Sequence, residues 1–245
     1  MQVVWKAGSR RPPLEDGEVH VWRFPLSSVV VPALSADEAV RAARFVLAHH
    51  RRAFETRRTF LRLLLARYLD CGPLDFELAY GADGKPEVAP GPGARAALRF
   101  SSSNTEEWLL IGVTLSADIG VDIERLDVKR DYDGLARECF SEREMAVYCA
   151  CNDGQKAATF IKAWTQKEAF VKAIGRGITY PLRDVEVSVE AGEPGRLIGL
   201  GQNPGHVSDW SLTGFEPAEE HLAAVAVSRP SIRLAYFAGP GEAFL

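Results

Sequence analysis

The chain has 245 residues, a formal net charge of −4, 47% hydrophobic residues and 25% charged residues. This composition is typical of globular proteins with one large domain or two small ones, and it excludes disordered and collagen-like chains. No apolar run approaches the ~20 residues of a membrane helix, and the first residues lack the apolar centre of a signal peptide. We therefore expect a cytoplasmic protein that has no membrane partner.

The first third of the chain is mainly helical. A strand is predicted from Glu18 to Phe24, and Ser35-Ala-Asp-Glu38 is a capping box that begins a helix. Helical periodicity continues to about Leu69, with a break predicted near His49–His50, and Cys71-Gly72-Pro73 ends it.

This helical region is strongly basic. Eight arginines and one acid, Glu55, lie between Ala39 and Leu69, so the segment carries a charge of +7. Most of these arginines fit a solvated helix face. A basic stretch in an acidic protein favours a phosphorylated ligand or an acidic partner over nucleic acid, and we expect one or two arginines to bind that ligand.

Short strands and turns follow. The patterns predict a strand over 76–80, a turn over 81–86, a Pro/Gly-rich loop over 90–93, a strand over 98–100 that enters the hydroxyl-rich run 101–105, and strands over 108–115 and 119–124.

The last third begins with helices and ends with strands. Ser141-Glu-Arg-Glu144 is a second capping box, and its helix ends at 152–154. A long helix is predicted from Lys156 to Ile174, where Gly175 ends it, followed by strands over 185–189, 210–215 and 222–227. Each half of the chain thus contains helical material followed by strands, which suggests a duplicated architecture, although no direct sequence repeat is visible.

The four cysteines are Cys71, Cys139, Cys149 and Cys151, and their spacing does not match a zinc site. Four thiols in a chain of this length fit a reducing compartment better than a disulfide framework.

Two acidic residues share one face of a predicted strand. In Gly120-Val-Asp-Ile-Glu124, Val121 and Ile123 point to the core, while Asp122 and Glu124 point to the other face. Paired carboxylates repel each other unless a divalent cation lies between them, and oxygen ligands favour Mg²⁺ or Mn²⁺. A solvated strand edge is the alternative.

A second cluster lies on the long helix. Spacings of four place Trp164, Glu168 and Lys172 on one helix face. Alone, this pattern is also that of an exposed helix with a Glu–Lys pair and a core tryptophan. Together with Asp122 and Glu124, however, Glu168 completes a set of three carboxylates and Lys172 adds a cation for phosphate. This combination is typical of displacement at phosphorus.

These motifs resemble those of the 4'-phosphopantetheinyl transferases. The sequence carries G-V-D-I-E, then F-S-x-x-E, then W-x-x-K-E-A-F-x-K-A-x-G, in that order and at comparable intervals. The resemblance continues upstream to Gly84-Lys85-Pro86 and the serine-rich loop, and it covers roughly residues 35 to 230. The length is similar to that of the surfactin-type (Sfp-like) branch, in which one chain holds two similar halves.

The resemblance implies an enzyme that transfers the phosphopantetheine arm of coenzyme A to a serine of an apo acyl or peptidyl carrier protein, releasing 3',5'-ADP with the help of Mg²⁺ or Mn²⁺. By position, Asp122, Glu124 and Glu168 match the metal-binding acids. Glu168 also matches a proton acceptor, and Lys172 the lysine that neutralises the pyrophosphate. The positions that match coenzyme A contacts are Arg41, Gly84, Lys85, Ser101, Ser102, Ser103, Asn104, Lys167 and Lys172.

One position departs from the family. Where the family usually has F-N-x-S-H-S, this chain has Phe100-Ser-Ser-Ser-Asn104-Thr105. Asn104 stands in place of a histidine that is expected to contact the 3'-phosphate, and an amide donates a hydrogen bond without charge. We expect an active enzyme with a weaker affinity for coenzyme A.

The fold implied by the resemblance is α+β. It has two similar, pseudo-twofold-related halves in a monomer, each with a long helix on a small antiparallel sheet. Residues 1–110 would contact the nucleotide of coenzyme A, and residues 111–245 would carry the metal site and the catalytic helix. Two other functions remain open from the residues: a non-catalytic module that binds a carrier protein or coenzyme A, and another metal-dependent phosphoryl enzyme.

Overall fold

The computed structural model describes residues 2–8, 13–81, 84–90, 98–177, 180–190, 192–201 and 206–239. The described residues form five α-helices and twelve strands. The helices are α1 (Ala36–Ala43), α2 (Ala48–Leu69), α3 (Asp133–Cys139), α4 (Glu142–Ala150) and α5 (Asp153–Ile174). The strands are β1 (Lys6–Ala7), β2 (Glu18–Pro25), β3 (Leu78–Tyr80), β4 (Pro86–Val88), β5 (Leu98–Asn104), β6 (Trp108–Leu115), β7 (Ile119–Arg125), β8 (Glu186–Val187), β9 (Leu197–Gly199), β10 (Ser211–Phe215), β11 (His221–Val227) and β12 (Arg233–Ala238).

The strands form two main sheets and two hairpins. The larger sheet has the order β1-β12-β2-β6-β5, and the smaller one has the order β10-β11-β7. All pairings are antiparallel except the two that β12 makes, with β1 and with β2. The structure confirms the predicted α+β class.

Helix α2 covers one face of the five-stranded sheet. Its apolar residues, including Phe60 and Leu64, pack against Trp22 and Phe24 of β2 and Ile111 of β6. The predicted strand 98–100 is longer than expected, because β5 continues through the serine run and pairs with β6 as far as Asn104.

The opposite face of that sheet packs on the three-stranded sheet. Val121 and Ile123 of β7 contact this inner layer together with Val21 and Leu110, as the alternation of β7 predicts. The two sheets approach closely at Gly112, where a Cβ atom would lie 2.6 Å from Val121 Cγ1.

Helix α5 covers the remaining face of the three-stranded sheet. Phe170 and Ala173 of α5 pack in one cluster with Ala224 of β11. At Gly120 the helix lies directly on the backbone of β7, because a Cβ atom there would be only 1.8 Å from Ala169 O. The molecule thus has four layers, α2, two sheets and α5, and Asp122 and Glu124 are on the α5 side of β7.

Both predicted capping boxes are present, at Ser35–Glu38 and Ser141–Glu144. The helix break lies earlier than expected, over residues 44–47, and both histidines are in the first turn of α2. Phe45 folds back there onto Phe54, with 5.4 Å between the ring centroids. Asn152 begins α5 as its N-cap rather than ending α4, because its side chain accepts a hydrogen bond from Gln155 N.

The chain is predicted to divide into two halves at residue 110, and in the structure strands connect the two sides of that position. Leu110 lies inside β6, and β12 returns from the end of the chain to lie between β1 and β2 of the first sheet. Residues 82–83 of the predicted turn and 91–93 of the predicted loop lie outside the described residues. The similarity of the two halves stays a prediction.

Across the described part of the chain, no helix has both the length and the apolar character needed to cross a membrane. All four cysteines are free thiols, and Cys139 is the buried one.

Candidate functional site

The site lies where the two sheets adjoin under α5. Lys172 Nζ on α5 donates to Asp122 Oδ1 on β7 at 2.6 Å and to Ser103 Oγ on β5 at 2.9 Å. Ser103 Oγ in turn donates to Asp122 Oδ1 at 2.8 Å. Ser101 holds the two strands in this register, because its Oγ accepts a hydrogen bond from Val121 N at 3.1 Å.

Asp122 is a buried carboxylate with unused capacity. The residue is 2% exposed, and its Oδ2 atom has no hydrogen-bond partner among the residues that the structure describes. A buried, unpaired carboxylate oxygen costs free energy unless a cation or a donor reaches it. Asp122 Oδ2 is therefore the oxygen in this cluster that most needs a positive ligand.

Glu124 and Glu168 face the same cluster. Burial, followed by repulsion from Asp122, raises the pKa of Glu124 to about 7, while a hydrogen bond from Trp164 and the charge of Lys172 act in the opposite direction. Burial and Asp122 likewise raise the pKa of Glu168, opposed by Lys172. The three carboxylates repel one another, and one lysine does not neutralise them.

These residues fit a divalent cation in chemistry. Among the described residues, no three acidic, histidine or cysteine side chains are already arranged as a complete metal shell. Mg²⁺ needs only one or two carboxylates, because waters and phosphate oxygens fill its other positions. The unpaired Asp122 Oδ2, and the burial and repulsion that raise the pKa values of Glu124 and Glu168, are unfavourable features that a bound cation would relieve.

Lys85 reaches the edge of this cluster from the other side. Its Nζ donates to Ile119 O and to Ala173 O, both at 3.0 Å, and burial lowers the pKa of Lys85. Gly84 precedes it at φ +80°, a conformation that favours glycine, and has open space around it. The turn therefore places Lys85 next to the residue that follows Lys172.

Lys167 does not join the cluster. Its side chain is 0% exposed, pairs with Glu144 at 2.6 Å and donates to two backbone carbonyls. With no exposed surface and no free donor, Lys167 does not fit the cofactor contact expected from its motif. Adjacent helix positions point about 100° apart, which is why Lys167 and Glu168 face different surroundings.

The remaining predicted residues lie on exposed or half-buried surface. Ser102 is half-buried on β5, on the opposite face from Ser101 and Ser103. Asn104 is exposed at the end of β5, where its Nδ2 donates to Thr105 O. The Arg41 guanidinium lies 5.4 Å from the centre of the Phe54 ring, and its charge helps to lower the pKa of Arg57. Their contacts with a nucleotide stay predictions.

Two functional partners were not found from the sequence. The motifs predict a coenzyme A contact for Ser103, but in the structure its hydroxyl group also joins Asp122 to Lys172. The helix pattern also allows Trp164 to be a core residue, whereas in the structure it hydrogen-bonds Glu124. The spacing of Trp164, four residues before Glu168, was the available signal for the second of these.

Comparison with known proteins agrees with the motifs. The family profile described as the 4'-phosphopantetheinyl transferase superfamily matches residues 118–226. The 4'-phosphopantetheinyl transferase HetI of Nostoc sp. is 33% identical over 234 residues, which cover 93% of this chain and 95% of HetI. A 4'-phosphopantetheinyl transferase of Bacillus subtilis is 26% identical over 82% of this chain and 85% of its own.

Among solved structures, the holo-[acyl-carrier-protein] synthase of Thermotoga maritima matches 47% of this chain and 64% of its own chain. The identity is 19% and the TM-score 0.36, too low to carry an argument. The match to HetI extends over nearly the whole of both chains. The chain therefore belongs to the 4'-phosphopantetheinyl transferase superfamily.

Proposed function

We propose that this enzyme transfers the 4'-phosphopantetheine arm of coenzyme A to a serine of an apo acyl or peptidyl carrier protein, with Mg²⁺, or alternatively Mn²⁺, as its metal. The observation that carries the proposal is the cluster of Asp122, Glu124, Glu168 and Lys172, held together by β5, β7 and α5. Three carboxylates that could hold a divalent cation, beside one lysine, suit a reaction in which positive charge must neutralise a pyrophosphate.

Asp122, Glu124 and Glu168 would hold the metal, which would supply charge neutralisation for the pyrophosphate. Asp122 offers its unpaired Oδ2 for this purpose. Lys172 donates to Asp122 and Ser103, and its side chain is 32% exposed, so its ammonium would be accessible to a phosphate oxygen. It would then stabilise the charge that develops on the departing 3',5'-ADP.

In the transfer, the carrier serine oxygen forms a bond to the phosphorus that bears the pantetheine arm, and the bond from that phosphorus to the ADP oxygen breaks. The serine loses its proton in this step. Glu168 is the proposed acceptor, directly or through a water molecule, because its carboxylate lies on α5 beside Asp122 and Lys172.

The nucleotide end of coenzyme A is proposed to contact Arg41, Gly84, Lys85 and the β5 segment from Ser101 to Asn104. The Lys85 ammonium lies at the edge of the cluster, where its Nζ donates to two backbone carbonyl oxygens. Ser101 contributes by fixing β5 against β7. Lys167 is left out of this proposed contact, because its Nζ is buried and bound to Glu144 and to two backbone carbonyls.

The decisive experiment incubates the full chain with an apo carrier protein, coenzyme A and Mg²⁺, and measures the mass of the carrier protein. We expect a gain equal to the phosphopantetheine group, and no gain when a chelator replaces Mg²⁺. Binding of the carrier without a mass gain would favour a non-catalytic module. Cleavage of coenzyme A without a carrier would favour another phosphoryl enzyme.

We also propose that the enzyme is a cytoplasmic monomer. All the residues of the cluster come from one chain, so no second copy is needed to complete the site. Light scattering on the purified protein measures the mass in solution directly.

A further inference from the structure

The F-S-x-x-E motif ends in Glu144, which the proposed reaction does not use. Glu144 and Lys167 form an ion pair with 2.6 Å between Oε2 and Nζ, and both side chains are 0% exposed. Lys167 Nζ also donates to Leu182 O at 2.9 Å and to Val185 O at 2.5 Å. An ammonium has three hydrogens, so each of them has an acceptor.

Glu144 connects three segments through one carboxylate. Its Oε2 accepts a hydrogen bond from Ser141 N at 2.8 Å, which is part of the capping box that begins α4. Its Oε1 accepts from Val187 N of β8, also at 2.8 Å. Lys167 adds α5, and thus α4, β8 and α5 meet at this side chain.

Stability alone does not account for such a pair. Burying two charges costs solvation free energy that their attraction barely offsets, and well-packed apolar residues often stabilise a core as well or better. Apolar residues lack directional bonds, however, whereas an ammonium held by three acceptors has one favourable position. The pair is therefore suited to fixing the place of a helix.

Two contacts are needed to fix the position of α5 relative to β7. Contact with the β7 backbone at Gly120 sets the distance between helix and strand, because no side chain separates them. That contact leaves the helix able to rotate or slide along the strand. The Lys167 network lies on the adjacent helix face, about 100° away from Glu168, and it opposes both motions.

We propose that Glu144 and Lys167 are positioning residues that set the rotation and axial position of α5 and thereby hold Glu168 and Lys172 against Asp122. The proposal rests on the proposed function for the role of those three residues. It explains why the glutamate of F-S-x-x-E accompanies the lysine of W-x-x-K-E in one sequence: the two motifs meet in the core.

The test compares Lys167→Met with Gln166→Met. Gln166 is an equally buried neighbour on α5 that donates to Lys162 O and Ser188 O, so its loss controls for the removal of a buried polar contact. Both variants should have a lower melting temperature. Well below that temperature, Lys167→Met should lose roughly 10- to 100-fold in kcat, with KM for coenzyme A changed by less than roughly threefold. Gln166→Met should keep kcat within roughly threefold.

Crystal structures of the two variants give a readout that does not depend on activity. In Lys167→Met, α5 and the Glu168 carboxylate should be displaced by roughly 1 Å relative to Asp122, and in Gln166→Met they should not be. A wild-type kcat in Lys167→Met would overturn the proposal, and so would a low kcat with α5 in its original place. An equal kcat loss in Gln166→Met would also overturn it.

If Lys167→Met fails to fold, Glu144→Gln, which keeps the shape and one acceptor oxygen, provides the same two readouts. The proposed function fails separately, if the wild-type chain transfers nothing to any apo carrier protein. In that case the position of α5 in the crystal structures still decides whether the ion pair sets it.

Discussion

Asp122 is the residue whose removal should separate catalysis from folding. Its replacement by alanine takes one carboxylate from a repelling group and removes the partner of Lys172. These effects on stability oppose each other, while the loss of a metal-binding oxygen has no compensation. We expect Asp122→Ala to lose at least roughly 100-fold in kcat with a melting temperature close to that of the wild type.

Thermal unfolding and single-turnover transfer, measured at limiting Mg²⁺, check this expectation. Asp127→Asn is a suitable control, because that carboxylate is exposed three residues after Glu124 and accepts a hydrogen bond from Lys129 N. Wild-type turnover in Asp122→Ala would show that the cluster is not the metal site. Glu168→Ala should behave as Asp122→Ala does.

Glu124 makes the metal-free protein sensitive to pH. Its pKa is raised from 4.5 to about 7 in the folded state, so the folded protein binds this proton more tightly than the unfolded chain. The contribution of Glu124 to the free energy of unfolding should therefore fall as pH rises from about 4.5 to 7 and stay level above that range. The upper limit is roughly 3 kcal/mol, and partial solvent screening reduces it to roughly 1–2 kcal/mol.

Denaturant unfolding with a chelator present, at several pH values, measures this slope. The slope should be smaller in Glu124→Gln by the contribution of that one group, and Mg²⁺ should stabilise the wild type most at the higher pH values. Identical slopes in the two proteins would contradict the raised pKa of Glu124.

Asn104 is where this chain departs from the family. Its side chain is exposed and donates to the neighbouring Thr105 carbonyl, so replacement should cost the fold little. Asn104→His would add a partly cationic group, and a charge-assisted hydrogen bond exceeds a neutral one by ~1 kcal/mol. We expect a roughly fivefold lower KM for coenzyme A with little change in kcat.

Dephospho-coenzyme A, which lacks the 3'-phosphate, is the control substrate for this variant. Its KM should be the same for Asn104→His and the wild type. An equal improvement for both substrates, or no change for coenzyme A, would mean that Asn104 does not face the 3'-phosphate.

Among the elements, β7 and α5 pack backbone against backbone, which is possible because Gly120 has no side chain. A Cβ atom at Gly120 would lie 1.8 Å from Ala169 O and 2.5 Å from Ala173 N, which are backbone atoms that cannot turn aside. Gly120→Ala should therefore lower stability by roughly 1–3 kcal/mol or more and also reduce kcat, because α5 must move. Gly134→Ala on α3, where a Cβ meets nothing within 4 Å, should leave both unchanged or slightly raise stability.

Calorimetry and steady-state kinetics on both glycine variants make this comparison. A Gly120→Ala protein with wild-type stability would show that the packing of α5 on β7 is looser than the structure has it.

Much of this element-level arrangement was predictable, for local reasons. Capping boxes and strand alternation depend on neighbouring residues, which is why the starts of α1 and α4 and the faces of Asp122 and Val121 follow from the sequence. The burial of Lys167 was not predictable, because it depends on Glu144 and on carbonyls that only the fold brings together. From the sequence, a lysine next to the motif acid is as compatible with a ligand contact as with a buried ion pair.

In the whole molecule, the two halves are joined by more than one connection. A cut at residue 110 would divide β6, and it would also separate β12 from its neighbours β1 and β2. We expect that residues 1–110 and residues 111–245, produced separately, do not unfold cooperatively. Together they should regain structure only on mixing, because each contains strands that the other pairs.

Circular dichroism during thermal unfolding of each fragment and of the mixture tests this expectation. A cooperative transition in either fragment alone would mean that the halves are independent domains.

The place of β12 also has a consequence for how the protein is made. Lys6 of β1 pairs with Phe237 of β12, so the five-stranded sheet joins two segments that are far apart along the chain. Until β12 emerges, β2 is paired with β6 along one edge and is unpaired along the edge that β12 later occupies. Pairing between segments so far apart in the chain forms slowly. The enzyme is therefore expected to complete its five-stranded sheet only after β12 has left the ribosome, and a nascent chain that stalls before β12 should expose the edge of β2 to chaperones.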